Sequence, residues 1–204
     1  MKRRVAVLIS GRGSNMASLL QAAKAADYPA EVVLVLSNIA DAPGLAKARE
    51  AGVETAVISH RAYADRESFE AALHERLSES KVELICLAGF MRLLTAGFVD
   101  RWRDRILNIH PSLLPAFKGL HVHERALEAG VRITGCTVHI VRADMDAGPI
   151  VGQAAVPVAG DDTPATLAAR ILTAEHKLYP AALAALASGM VRVVGEVVHG
   201  DAPA

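Results

Sequence analysis

The sequence predicts an α/β fold in which a doubly wound, mainly parallel sheet forms the N-terminal half and a mixed sheet with a long helix forms the C-terminal half. Three observations support this prediction. Short apolar runs alternate with helical patterns over the first 110 residues, a glycine-rich turn follows the first run, and two longer apolar runs precede a long helical pattern. Strands that alternate with helices over short connections form parallel sheets. We therefore expect a Rossmann-like architecture.

Five strands are predicted in the N-terminal half, because each is a short, continuous apolar run bounded by turn residues, which is typical of a strand covered on both faces. The predicted strands are Val5–Ile9, Val32–Leu36, Thr55–Ile58, Leu84–Ala88 and Ile106–Ile109. The helical patterns between them are Asn15–Ala26, Gly44–Ala51, Arg66–Ser80 and Thr95–Asp100.

The pattern changes after His110. Two longer strands, Ile133–Val141 and Ile150–Val158, are separated by a link rich in turn residues. Asp162-Thr163-Pro164 then combines a cap residue with a proline at the first helical position, which predicts the start of a helix. We expect Pro180 to begin or kink a second helical segment that ends at Gly189, and we expect Val191–Val198 to be a last strand, followed by a frayed end.

Residues 1–204 contain no composition shift or repeat that indicates a linker, so we expect a single domain divided near residue 110 into a parallel half (1–110) and a mixed half (111–204).

The composition excludes several classes of protein. Twenty-two Lys and Arg residues balance 22 Asp and Glu residues, whereas a generic nucleic-acid surface needs excess positive charge. A hydrophobic content of 52% is too high for a disordered chain. The apolar run Val5–Ile9 is too short for a signal peptide or a membrane span, and Cys86 and Cys136 lie in apolar runs, as buried thiols do. We expect a cytoplasmic protein with no nucleic-acid or membrane partner.

The turn Ser10–Asn15 lies between the first strand and the first helix, where backbone N–H groups and the helix dipole can bind an anion. A P-loop would need a lysine after the second glycine, and a dinucleotide fingerprint would need a third glycine near Met16 and an acidic residue ending the second strand. That strand ends in Ser37-Asn38 instead. Two interpretations remain: a site for a single phosphate with Ser14 and Asn15 as donors, or only a tight strand–helix turn.

Asn108 and His110 are two apart on a predicted strand and therefore share one face of the sheet. Pro111 ends the strand, which places both at the carboxyl edge, where open α/β folds bind ligands. An amide can hold a developing oxyanion, and an imidazole can donate or carry a proton. The alternative is an ordinary histidine at a strand end.

A carboxylate partner for His110 is expected in the turn 142–149, which offers Asp144 and Asp146. An Asp–His pair fixes the tautomer of the ring and stabilises its charged form. Periodicity does not choose between the two acids, although the Ala147-Gly148-Pro149 turn after Asp146 is able to re-enter a cleft. His121 and His123 lack the spacing of common zinc sites, so we expect them at the surface or in a pocket, and we predict no metal site.

Several segments together resemble the glycinamide ribonucleotide formyltransferases, a family of folate-dependent enzymes of purine synthesis. The segments are ISGRGSN (9–15), SNIADAPGLAKA (37–48), LAGFMRLL (87–94), NIHPSLLPAFKGLHVHERALEAG (108–130), DAGPI (146–150) and TAEHKLYP (173–180). The resemblance extends over nearly the whole chain. Its departures from the family pattern are Arg12 and Phe117-Lys118, which do not fall on the expected catalytic residues.

The resemblance implies a set of site residues. By it, the catalytic residues are Asn108, His110 and Asp146; the substrate-binding residues are Gly13, Ser14 and Asn15 for the phosphate and Glu175 for the ribose hydroxyls; and the folate-binding residues are Met91, Arg92, Leu93, Leu94 and Asn108, with Arg66 at the glutamate tail. It also implies 10-formyltetrahydrofolate as co-substrate, glycinamide ribonucleotide as formyl acceptor, no metal, a phosphate-binding half (1–110) and a folate and catalytic half (111–204).

Other functions remain as alternatives. A formyltransferase for initiator methionyl-tRNA carries a further RNA-binding domain, and a formyltetrahydrofolate hydrolase carries an N-terminal regulatory domain; neither is expected here. A non-catalytic module that binds a phosphate ligand is a third alternative, although Asn108, His110 and Asp146 are all present. We expect a monomer or a homodimer.

Overall fold

Seven strands form one sheet in the order β3-β2-β1-β4-β5-β6-β7 in the computed structural model, which describes residues 1–203. The strands of the sheet are β1 (Arg3–Ile9), β2 (Ala30–Ser37), β3 (Glu54–Val57), β4 (Leu84–Leu87), β5 (Ile106–His110), β6 (Ile133–Ile140) and β7 (Ile150–Pro157). The first five are parallel, whereas β6 and β7 are antiparallel to their neighbours. The predicted mainly parallel sheet with a mixed continuation is confirmed.

Six α-helices and a second, two-stranded sheet complete the described part of the chain. The helices are α1 (Ser14–Ala23), α2 (Pro43–Glu50), α3 (Arg66–Glu79), α4 (Ala96–Arg101), α5 (Val122–Glu128) and α6 (Pro164–Ser188); the additional strands are β8 (Val191–Val194) and β9 (Val197–Gly200). No helix within residues 1–203 has both the length and the apolar character needed to cross a membrane.

Alternation along β1 explains why the sheet is covered on both faces. Val5, Val7 and Ile9 belong to one apolar cluster, and Ala6 and Leu8 belong to another. Successive side chains of a strand point to opposite faces, so a run that is apolar at every position needs a core on each side. One cluster includes residues of α1 and α6, and the other includes residues of α3 and α4.

The predicted helices and strands of the N-terminal half agree with the structure to within one or two residues, except that α1 ends at Ala23 rather than Ala26. Helix α5 and a 3₁₀ turn at His60–Ala62 were not predicted. Helix α5 follows His121, which adopts a left-handed conformation and provides no side-chain cap. The usual Ser, Thr, Asp or Asn signal for a helix start is therefore missing.

Helix α6 continues through Pro180, where the sequence predicted either the start of a second helical segment or a kink. Thr163 caps the helix, Pro164 occupies its first turn, and Gly189 ends it with φ 80°, as predicted, but the helix does not restart at Pro180. A proline inside a helix removes one hydrogen bond and costs about 3 kcal/mol in an isolated helix. Burial of Tyr179 and Leu183 beside it offsets that cost in the folded chain.

The predicted last strand, Val191–Val198, is wrong. The segment is a hairpin in which Val194 pairs with Val197 across Gly195-Glu196, and Gly195 has φ 62°. A two-residue loop with a positive φ joins tightly paired antiparallel strands. His199 and Gly200, expected in a frayed end, belong to β9.

Candidate active site

A cavity of about 810 Å³ opens beside the ends of β4 and β5. Its lining consists of residues 87, 89–94, 108–111, 119–124, 139, 141–143 and 145–146. The chain therefore brings the predicted catalytic residues Asn108, His110 and Asp146 together with the predicted wall 91–94 around one cavity.

His110 is buried at the end of β5, and both of its ring nitrogens face acceptors. Nε2 lies 2.9 Å from the Phe117 carbonyl oxygen, and Nδ1 lies 3.4 Å from Asp146 Oδ2. A neutral imidazole has only one N–H group, whereas the imidazolium can donate from both nitrogens. The surroundings of His110 thus suit the charged ring.

Asp146, and not Asp144, is the carboxylate beside His110. Its Oδ2 accepts a hydrogen bond from the Gly119 N–H at 2.9 Å, while Asp144 is exposed to solvent. Burial alone would raise the pKa of Asp146, but His139, the Gly119 N–H and the charge of His110 outweigh that effect and lower it below its ordinary value. The carboxyl group is therefore ionised near neutral pH.

His139 is a further member of this cluster that was not among the predicted site residues. It lies opposite Asn108 in the β5–β6 pairing, and its Nε2 is 3.2 Å from Asn108 Nδ2. Its Nδ1 is 3.0 Å from the Ile140 carbonyl oxygen, and its Nε2 is also 3.7 Å from Asp146 Oδ1. His139 thus contacts both the Asn108 amide and the Asp146 carboxylate. The strand register that pairs them has no sequence signal.

Four residues beside the cavity have positive φ: Phe117 (52°), Gly119 (82°), His121 (55°) and Asp146 (52°). For a bulky residue such as Phe117, this conformation costs roughly 1–2 kcal/mol. It places the Phe117 carbonyl against His110. The backbone strain thus lies where the chain arranges polar groups around His110 and Asp146.

The glycine turn begins α1 without a side-chain cap, because Gly13 is the N-cap residue and has φ 65°. The first N–H groups of a helix have no partner within it, so those of Ser14 and Asn15 are available to an anion. Asn15 Nδ2 also donates to Glu175 Oε2 on α6 at 2.7 Å. Burial raises the pKa of Glu175, and the Asn15 hydrogen bond partly opposes this.

Gly13 is also required by packing inside the protein. A Cβ atom there would lie 3.1 Å from Gly44 Cα and 3.1 Å from Met16 Cε. Gly44 in turn donates its N–H to the Gly11 carbonyl at 3.0 Å. The tight turn and the phosphate site, which the sequence left as alternatives, are therefore compatible in one structure.

The predicted folate residues divide into two groups. Met91, Arg92, Leu93 and Leu94 line the cavity, and Met91 and Leu93 are 71% and 60% exposed, so a large apolar surface faces solvent. Arg66 is the exposed first residue of α3 and lies outside the cavity lining. Within residues 1–203, no carboxylate forms an ion pair with Arg66 or Arg92.

His121 and His123 both line the cavity, in agreement with one of the two predicted positions. Burial lowers the pKa of His123, Glu124 raises it, and His110 lowers it further, with a net lowering below its ordinary value. The two cysteines are buried and do not line the cavity, and burial raises the pKa of Cys86 and of Cys136 to about 12. Neither thiol provides a nucleophile at neutral pH.

A doubly wound sheet whose edge carries an amide, an imidazole–carboxylate pair and an apolar cavity has the features of an enzyme that transfers acyl groups. Among the described residues, the cavity lining contains no serine, threonine or cysteine. Comparison with known proteins identifies the family within this class. Residues 3–183 match the formyl transferase family model, and the chain belongs to that family.

The relatives agree with the resemblance found in the sequence. Phosphoribosylglycinamide formyltransferase of Escherichia coli K12 is 41% identical over 189 residues, which cover 93% of this chain and 89% of that protein. A crystal structure of glycinamide ribonucleotide transformylase 1 from Symbiobacterium toebii is 47% identical with a TM-score of 0.95, covering 98% of this chain and 95% of that one.

A third relative is much longer. The trifunctional purine biosynthetic protein adenosine-3 of Gallus gallus is 54% identical over 192 residues, which are 94% of this chain but 19% of that protein. The chain therefore spans about a fifth of the length of such relatives.

Proposed function

We propose that this chain transfers the formyl group of 10-formyltetrahydrofolate to the amine of glycinamide ribonucleotide, which gives formylglycinamide ribonucleotide in de novo purine biosynthesis. The observation that carries the proposal is the convergence of Asn108, His110 and Asp146 on one edge of the cavity. The proposal includes two small-molecule substrates, no metal, no nucleic-acid or membrane partner, a cytoplasmic location, and a monomer or homodimer formed by one domain over residues 1–204.

The proposed reaction is direct attack by the substrate amine on the formyl carbon. The new C–N bond converts the formyl oxygen into an oxyanion, and collapse of the tetrahedral intermediate breaks the bond to the folate nitrogen. Asn108 has a second amide N–H besides the one directed to His139, and this group can donate to the oxyanion. His110 supplies positive charge beside it.

Asp146 has two roles in this proposal. As an ionised carboxylate 3.4 Å from His110, it stabilises the charged ring. It also accepts the proton that the attacking nitrogen loses and returns a proton, through water, to the departing folate nitrogen. The attacking amine loses one proton and the departing folate nitrogen gains one, so the reaction needs no base from outside the site.

The apolar wall 91–94 suits the flat ring system of a folate, and Arg92 in the same wall suits a carboxylate. Arg66 lies outside the lining, so a glutamate tail has to leave the cavity in order to reach it. Neither guanidinium group pairs with a carboxylate within residues 1–203, so both are available to the anionic end of such a ligand.

The phosphate and ribose of the acceptor are assigned to the start of α1 and to Glu175. The N–H groups of Ser14 and Asn15 bind the phosphate with the help of the helix dipole. The Glu175 carboxyl, already 2.7 Å from Asn15 Nδ2, accepts hydrogen bonds from the ribose hydroxyls. The turn follows β1, which is the neighbour of β4, so the phosphate site adjoins the cavity wall.

The test is to mix the purified protein with both substrates and detect formylglycinamide ribonucleotide by mass spectrometry. We expect product with the wild type and a large loss with His110→Ala. Omitting the acceptor tests the hydrolase alternative, because a hydrolase would release formate without it. Absence of formylated acceptor from a folded wild-type protein would overturn the proposal.

A further inference from the structure

A chain of hydrogen bonds leads from the cavity wall to a residue outside the cavity. The Met91 N–H donates to Ser10 Oγ (2.8 Å), the Ser10 hydroxyl donates to Asn38 Oδ1 (2.6 Å), and Asn38 Nδ2 lies 3.1 Å from His60 Nδ1. These residues follow β4, β1, β2 and β3, which are successive neighbours in the sheet. The chain therefore connects four adjacent strand ends.

The identity of each partner atom gives the direction of the hydrogen bonds in this chain. The Met91 backbone N–H can only donate, so Ser10 Oγ accepts from it, and the Ser10 hydroxyl donates to the Asn38 carbonyl oxygen, which can only accept. The Asn38 atom that receives this proton is its carbonyl oxygen, so its amide nitrogen faces His60. His60 Nδ1 must then be an unprotonated acceptor.

The anchored segment needs such support, because residues 88–95 form neither helix nor strand. Ser10 holds its beginning twice, since its own N–H donates to the Gly89 carbonyl (3.1 Å) and its hydroxyl accepts from Met91 (2.8 Å). Glu70 holds its end by accepting from the Thr95 N–H at 2.7 Å. The apolar side chains between these anchors project into the cavity opening.

We propose that His60 is a positioning residue for the folate-binding wall: its Nδ1 lone pair fixes the Asn38 amide, which fixes the Ser10 hydroxyl as an acceptor for Met91. This inference rests on the proposed function, because that function assigns the wall to folate. His60 does not line the large cavity; it lines a separate cavity of about 390 Å³. Its replacement therefore leaves the lining of the large cavity unchanged.

Two substitutions of His60 distinguish the loss of its hydrogen-bond acceptor from the loss of its ring shape. Asparagine places Oδ1 on Cγ, where histidine has Nδ1, and so keeps an acceptor for Asn38; leucine keeps bulk without an acceptor. We expect His60→Leu to weaken tetrahydrofolate binding by about three- to tenfold, the loss typical of one hydrogen bond. We expect His60→Asn to bind like the wild type, and kcat at saturating folate to stay near the wild-type value in both.

Calorimetric titration with tetrahydrofolate measures the binding, and His199→Leu, at an exposed position on β9, is the matched control. Wild-type binding by His60→Leu would overturn the proposal. Equal weakening in His60→Leu and His60→Asn would overturn it as well, because only the shape of the residue would then matter.

The ring tautomer gives a second readout that does not depend on folate. Nitrogen NMR of the wild type should show His60 protonated on Nε2 alone, and Ser10→Ala should shift it towards a mixture of tautomers, because Asn38 is then free to turn. Ser188→Ala, at the end of α6, should leave the tautomer unchanged, because the Ser188 hydroxyl bonds only with Ala184, Ala185 and Met190. A wild-type ring protonated on Nδ1 would overturn the proposed direction of the hydrogen bonds.

A wild-type protein that fails to bind tetrahydrofolate while His60 keeps the expected tautomer would instead overturn the proposed function, and with it the role of the wall.

Discussion

His110 and His139 both lie beside the Asp146 carboxylate: His110 Nδ1 is 3.4 Å from Oδ2, and His139 Nε2 is 3.7 Å from Oδ1. The other nitrogen of each ring faces a backbone carbonyl, that of Phe117 for His110 and that of Ile140 for His139. His139 additionally contacts the Asn108 amide. One carboxylate therefore lies between the two rings, and His139 adds Asn108 to the cluster.

Sequence reasoning found part of this cluster. Alternation along a strand predicted that Asn108 and His110 share a face, and the structure places both in the cavity lining. The choice between Asp144 and Asp146 depended on how a loop folds back over the sheet, which periodicity does not encode. The role of His139 depended on the register of an antiparallel pair. Their functional roles stay predictions.

Replacing either member of the charged pair should slow formyl transfer while the fold is kept. Removal of a positioned acid or base typically costs about 10²–10⁴ in rate, so we expect a fall of this size in kcat for His110→Ala and for Asp146→Ala. Steady-state kinetics measures it, with circular dichroism as a test of folding and His199→Ala as the control. A folded His110→Ala protein with near-normal kcat would contradict the assignment.

Asn108→Ala should lower the rate of the chemical step and leave the affinity for the substrates nearly unchanged. Loss of one oxyanion donor costs on the order of 10²–10³ in the chemical step. We expect single-turnover rates to fall by this amount while the dissociation constants of both substrates change little. If the variant lost only affinity, Asn108 would be a binding residue and would not stabilise the oxyanion.

Asp146 should also affect stability in acid. The pKa of its carboxyl is lower in the folded chain than the ordinary value of about 3.9 expected when unfolded. Its stabilising contribution is therefore complete above the unfolded pKa and is lost as the pH falls through the folded pKa. Urea unfolding between pH 3 and 6 should show a smaller loss of stability towards acid in Asp146→Asn than in wild type. Identical pH slopes would refute this prediction.

At the scale of elements, the start of α1 is fitted against the start of α2. Gly13 and Gly44 allow the two backbones to approach, and a Cβ on Gly44 would lie 2.5 Å from Ile9 Cδ1 and 3.0 Å from the Gly11 carbonyl oxygen. The sequence pattern indicated a turn at Gly13 but not its contact with Gly44. The need for a glycine at position 44 comes from contacts with neighbouring elements, so it cannot be read from the helix sequence alone.

Gly44→Ala should destabilise the protein, although alanine favours helices in general. Overpacking of this kind costs roughly 1–3 kcal/mol in the free energy of unfolding, more than the gain in helix propensity. Urea denaturation measures the difference. Gly160→Ala is the matched control, since a Cβ there meets no atom within 4 Å and its φ is not positive. Equal stability of the two variants would show that the contact has no cost.

The elements that sequence reasoning missed have different causes. Helix α5 is short and lacks a side-chain cap, so local propensity does not mark it. The hairpin β8–β9 turns at Gly195-Glu196, a glycine-containing two-residue loop that is itself a local hairpin signal and that the prediction of one strand overlooked. The five parallel strands were predictable because burial on both faces demands continuous apolar runs.

At the scale of the whole molecule, the order of the strands brings the two proposed substrates together. The chain order reverses between β1 and β4, and open α/β sheets bind ligands where the order reverses. The phosphate turn follows β1, the folate wall follows β4, and Asn108 and His110 end β5. The acceptor and the formyl donor are therefore expected to occupy adjoining but separate sites.

Separate sites should respond separately to ligands and substitutions. A ligand at 100 times its Kd stabilises the folded state by about 2.7 kcal/mol. In a chain of this length each kcal/mol shifts Tm by about 2–4 °C, so either tetrahydrofolate or ribose 5-phosphate at that ratio should raise Tm by about 5–10 °C.

Leu93→Asp, which puts a charge into the apolar wall, should abolish the shift with tetrahydrofolate and keep the one with ribose 5-phosphate. Ser14→Ala at the start of α1 should reduce only the shift with ribose 5-phosphate. Met190→Asp, at an exposed apolar position outside the cavity, should keep both shifts. Thermal denaturation at fixed ligand concentrations measures all of them. If Leu93→Asp and Ser14→Ala each reduced both shifts equally, the substrates would have to share one site, and the division of the edge between the β1 turn and the β4 wall would be wrong.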